Sequence, residues 1–122
     1  MKLSSLYHFL NYSISAVNFK KMISIEVDDY VKQLKKKGAS ASVLLEEDIE
    51  LRVTKKELYE LCKAFENKHL DAYDIYYIAD ALLMAEKVTF SDELIKEKFE
   101  MLTDPEINFG ELNSDVISKV LS

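Results

Sequence analysis

The chain has 122 residues, 48% of them apolar, with two glycines, one proline and a formal charge of −6. A chain of this size buries a real core without metals or crosslinks, and one this apolar is not disordered. Turn residues are too few for an all-β domain, so residues 1–122 are expected to form a single all-α domain, a bundle of five to six helices.

Leu3, Leu6, Tyr7 and Leu10 fall at helical spacing and predict a first helix over 3–12. Lys2 ahead of this run gives it the outline of a secretory signal, but Tyr7, His8 and Asn11 interrupt it and no clean cleavage site follows. No stretch approaches the roughly 20 apolar residues of a membrane span, so the expectation is a cytoplasmic protein without membrane contact. The serine-rich join at 13–15 favours a break before a second helix, over one bent helix through 3–37. That second helix, about 16 to 37, presents Phe19, Ile23, Val27, Tyr30, Val31 and Leu34 on one face. It closes on Lys35-Lys36-Lys37-Gly38, cations where the dipole favours them and then a glycine able to turn left-handed.

Between 43 and 53, Ile49, Leu51 and Val53 alternate with Glu50 and Arg52 as in a strand. With no partner strand in view, the segment reads as extended coil or a short helical turn. Thr54 and Glu57 make a capping box that opens a helix to about Asn67, with Leu58, Leu61, Cys62 and Phe65 inward. Cys62 is the single cysteine, so no internal disulfide can form, and its neighbours predict a small buried thiol. Asp71 caps a central helix, and Ser91 caps another to about Leu102, built on Leu94, Ile95, Phe99 and Leu102 and stopped by Thr103-Asp104-Pro105. After a turn at Asn108-Phe109-Gly110, Asn113 or Ser114 caps a last helix holding Val116, Ile117, Val120 and Leu121.

The usual catalytic constellations are missing. His8 and His69 lack partners at ligand spacing, no glycine-rich loop is present to cradle phosphate, and no serine stands in a nucleophile context. Asp104, Glu106, Asn108, Gly110 and Asp115 evoke a calcium loop, but Phe109 occupies the position that needs glycine and Asp115 the one that needs glutamate. A rigid turn is the expected reading. No catalytic residue, metal or cofactor is expected.

Residues 71–86 carry the main functional signal. Ile75, Ile78, Ala79 and Leu82 form a core stripe, and Tyr73, Tyr76, Tyr77, Asp80 and Met84 form a second one. Tyrosine offers stiff contact area with a polar tip, as partner surfaces require. The expected partner-binding residues are therefore Asp71, Tyr73, Asp74, Tyr76, Tyr77 and Asp80, while Glu46, Glu47 and Asp48 read first as a solvated loop, with a second acidic patch as the alternative. Charge agrees with this. Residues 1–37 hold seven lysines against three acids, and residues 38–122 hold nine basic side chains against nineteen acidic. Such a body repels phosphates, which argues against nucleic acid, and attracts a cationic protein.

Leu61-Cys62-Lys63-Ala64-Phe65, Tyr77-Ile78-Ala79-Asp80-Ala81-Leu82 and Thr103-Asp104-Pro105-Glu106-Ile107-Asn108 resemble segments of small helical immunity proteins of contact-dependent growth inhibition and other polymorphic-toxin systems. The likeness covers roughly residues 54–110. It implies a non-enzymatic cytoplasmic protein that binds and neutralises a cognate toxin domain, here expected to be a basic nuclease. Contact residues do not transfer from the family, and those named above come from the stripe. When free, the protein is expected to be a monomer. The alternative is a helical adaptor or regulatory protein-binding domain without a toxin partner.

Overall fold

The structure is a computed structural model, and it describes residues 1–36, 42–103 and 112–122. Among the described residues it contains six helices and two three-residue strands: α1 (Leu3–Leu10), α2 (Ala16–Lys35), β1 (Leu51–Val53), α3 (Lys55–Glu66), α4 (Ala72–Met84), β2 (Val88–Phe90), α5 (Glu93–Thr103) and α6 (Ser114–Leu121). The predominantly helical bundle is the class its composition dictates. No helix among the described residues is long and apolar enough to cross a membrane.

The join at 13–15 does break the chain. Ser15 caps α2 by accepting from the Asn18 N–H, so α1 and α2 are separate helices. α1 ends with Tyr12 at φ 67°, its N–H donating to Phe9 O and the Ser13 N–H to His8 O. α3 closes in the same way, with Lys68 at φ 62° and the His69 N–H reaching back to Ala64 O. Both ends are left-handed caps in which the usual glycine is replaced by a residue with a side chain. The Thr54–Glu57 box opens α3, and a second box of Asp71 and Asp74 opens α4.

Three local expectations need correction. Leu51–Val53 does have a partner: it pairs in parallel with Val88–Phe90 in the register Leu51↔Val88, Arg52↔Thr89, Val53↔Phe90. The connection is α3 plus α4, because parallel strands need a long crossover. α5 is capped by Asp92, whose carboxylate accepts from the Ile95 N–H, while the Ser91 N–H closes the sheet on Val53 O. Leu94 is exposed rather than part of the core. The Gly38 stop, the Asp104-Pro105 stop and the turn at 108–110 with its calcium-like pattern lie outside the described residues.

The core is one cluster reaching from Leu3, Leu6 and Phe19 through Leu58, Leu61 and Ile75 to Phe99, Ile117 and Val120. Phe9 stacks on Phe19 with centroids 4.6 Å apart. Ile75, Ile78, Ala79 and Leu82 are all buried, as their stripe requires. Each large aliphatic among them contributes about 2 kcal/mol of burial. Cys62 lies within the same cluster, and burial pushes its thiol up to about 12. Helix α5 packs most extensively on α4, and α2 packs on another side of α4.

Candidate functional site

The tyrosine–carboxylate row of α4 does not face solvent, which corrects the expectation for most of its members. Tyr76 and Tyr77 are buried, and Asp74 is the one buried charged residue among the described residues. The reason is α2, which lies along the row and supplies its complement from within the chain. Lys20 Nζ stands 2.5 Å from Asp74 Oδ2 and 3.3 Å from Asp71 Oδ2. Ten residues further along α2, the Tyr30 hydroxyl donates to the Asp80 carboxylate, and its ring meets that of Tyr77 edge-on at 5.2 Å.

Each phenol also ties down an irregular segment. Tyr77 Oη accepts from the Leu44 N–H at 3.0 Å and donates to Leu44 O at 3.2 Å, fixing the strand-like stretch ahead of β1. Tyr76 Oη accepts from the Leu112 N–H at 2.9 Å, ahead of α6. These tyrosines are rods that pass through the core and end on main-chain groups which helices and sheet leave unserved. Burial, with the Asp80 carboxylate beside it, raises the Tyr30 hydroxyl above its usual value. Burial likewise pushes Tyr77 up to about 12.

Of the six expected contact residues, Asp71 and Tyr73 are the exposed ones, and Asp80 is half-buried against Tyr30. Burial raises the Asp74 carboxyl above the usual range despite Lys20. Burial opposes the shift at Asp71, yet the Asp74 N–H and the Lys20 ammonium hold its carboxyl low. The second patch is also engaged. Asp48 accepts from the Ser4 N–H at 3.0 Å and from the Ser4 hydroxyl, so it serves the start of α1, where Lys2 provides no side-chain cap. Glu47 accepts from the Lys87 N–H, and Glu46 lies 3.7 Å from Lys2.

Phenols are exposed elsewhere, at Tyr7, Tyr12 and Tyr59. Tyr12 bonds Glu60 at 2.5 Å beside a hollow of about 340 Å³ floored by Phe9, Leu10, Ile14 and Ala64.

A charged row that enters no ion pair among the described residues lies on α5. Glu93, Glu97 and Glu100 follow at i, i+4 and i+7, share one face and are exposed. None of the three enters an ion pair among the described residues. Leu94, 59% exposed, and the half-buried Met101 form an apolar row beside them. The neighbouring Lys98 is turned away, its ammonium donating to Lys119 O at the last turn of α6. Glu100 sits in the last turn of α5, where the helix dipole disfavours an anion and no basic residue shares the turn, the nearest on that face being Lys96 one turn back. Among the described residues that carboxylate enters no ion pair. The sequence carries the signal as three acids at helical spacing, while the periodicity that places Leu94 inward masks the row.

No family model matches the chain, and neither a curated protein nor a solved structure matches it.

Proposed function

We propose that this chain is a non-catalytic protein-binding module of the immunity type, which neutralises a cationic toxin domain by covering it. The observation that carries the reading is the α5 face, where three carboxylates that enter no ion pair among the described residues lie beside exposed Leu94. A nuclease must present a positive cleft to its substrate, and an acidic ridge with an apolar flank complements such a cleft. The carboxylates steer the encounter, and the apolar row supplies desolvated contact. The net charge of −6 and the resemblance within residues 54–110 to helical immunity proteins point the same way. In this reading the site moves from α4 to α5, and the tyrosines of α4 act as scaffold.

The test is co-expression with the C-terminal domain of the large open reading frame adjoining this gene. Cells carrying both should survive, and cells carrying that domain alone should not. The triple variant Glu93→Lys, Glu97→Lys, Glu100→Lys keeps its circular dichroism spectrum and loses protection. Death in the presence of the unaltered chain, or full protection by the triple variant, rejects the proposal.

A further inference from the structure

α2 buries one face and turns the other to solvent along its whole length of about 30 Å. The outward face carries Ile25, 82% exposed, with Met22, 53% exposed, one turn before it. Around them stand Lys21, Asp28, Asp29 and Lys32, all exposed. These two lysines and two aspartates cancel, so a chain of charge −6 has a locally neutral, apolar-centred face here.

That face is self-complementary. At 100° and 1.5 Å per residue, Lys21 lies about 6 Å before Ile25 and Asp28 about 4.5 Å after it, both on the same side of the helix. A second copy running antiparallel, with its two-fold axis at Ile25, therefore sets Lys21 of each copy against Asp28 of the other. It also sets Ile25 against Ile25, Met22 of each copy alongside Asp29 of the other, and Asn18 of each copy opposite Lys32 of the other. Two equal ion pairs flank an apolar centre, as an isologous interface requires. A partner of another sequence has no comparable reason to match this pattern.

We infer that the outer face of α2 is a homodimer interface, a departure from the monomer expected from sequence. It is independent of the α5 reading, because the two faces lie on different helices. The test is sedimentation velocity on the full chain from about 5 µM to about 500 µM, the range in which a weak interface declares itself. The weight-average mass should rise from 14.1 kDa toward twice that value. Ile25→Asp and, separately, Lys21→Asp should each weaken the dimer at least tenfold with the helical spectrum unchanged, since both side chains are exposed. The swap Lys21→Asp with Asp28→Lys should restore it. A chain that stays monomeric throughout, a dimer indifferent to Ile25→Asp, or a swap that behaves like Lys21→Asp alone overturns the inference.

Discussion

Replacing Lys20 by methionine tests whether α2 supplies the charge that α4 needs. The change keeps the length of the side chain and removes the one ammonium within reach of Asp74 among the described residues. The Asp74 side chain is 3% exposed and that of Lys20 is 42% exposed, so the pair is neither a surface bridge nor a sealed one. Exposed pairs contribute about 0–1 kcal/mol, and breaking a buried pair costs about 3–5 kcal/mol. This half-covered pair falls between them, at about 2 kcal/mol of lost stability at pH 7, or a fall of about 8 °C in melting temperature. Most of the loss is an anion left in the core, since the Asp71 N–H still serves Asp74 Oδ2.

Two further measurements separate this cause from lost packing. Adding Asp74→Asn removes the stranded charge and keeps an acceptor for Asp71 N–H, so the double variant should recover about half the loss. The pH dependence has a definite sign. Without Lys20 the folded carboxyl of Asp74 lies further above its unfolded value of about 3.9. The penalty is then complete above the folded pKa and vanishes below the unfolded one. The gap between Lys20→Met and the unaltered protein should narrow as pH falls from 7 to 4. Urea titrations across that range decide the matter. A loss under about 0.5 kcal/mol, or a gap constant with pH, would refute the argument that Lys20 balances a buried charge.

Lys68→Gly relieves a left-handed residue at the end of α3 and should raise stability by about 1 kcal/mol, read as a shift in urea midpoint at constant slope. Tyr77→Phe leaves the Leu44 N–H without its phenol acceptor, while the Leu44 carbonyl keeps the Met1 ammonium, and should cost about 1–3 kcal/mol with faster amide exchange at Leu44. Asp48 is held below the usual carboxylate range, mainly by the Ser4 hydroxyl, so its contribution is present above the unfolded pKa and lost as pH falls through the folded one. Asp48→Ala should therefore flatten the acid limb of the stability curve. Cys62, its thiol pushed up to about 12 by burial, should resist a disulfide reagent at pH 8 until urea unfolds the chain.

Helix positions and caps were legible because they depend on neighbours within a turn. Thr54, Asp71 and Asn113 sit where their side chains meet nearby orphan amides, and the structure agrees at all three. β1 was legible as alternation but not as a strand, since its partner lies 37 residues on, beyond two helices. The burial of Tyr76, Tyr77 and Asp74 was not legible for a related reason. Periodicity reports that α4 has two faces with different chemistry, but it does not say what covers the second. Tyr76 and Tyr77 are apolar over most of their surface, so either water or a neighbouring helix could satisfy them. The choice was made by Lys20 and Tyr30, some fifty residues upstream. Asp92 in place of Ser91 is a smaller case, in which sheet closure takes the serine and the next side chain takes the cap.

Where the net charge ends up is decided by this packing rather than by composition. Of the amino-terminal lysines, Lys20 turns inward to α4, and the outward Lys21 and Lys32 are matched by Asp28 and Asp29 on the same face. The acids of α4 and of residues 46–48 are likewise engaged with Lys20, Tyr30, Ser4 and the Lys87 amide. Glu93, Glu97 and Glu100 enter no ion pair among the described residues, so α5 presents a row of exposed carboxylates to solvent, with Lys96 on the same face. A cationic protein approaching through water responds to such charges over about 8–10 Å at physiological salt. If α5 is the docking face proposed above, charge reversal there should slow association far more than it disturbs folding.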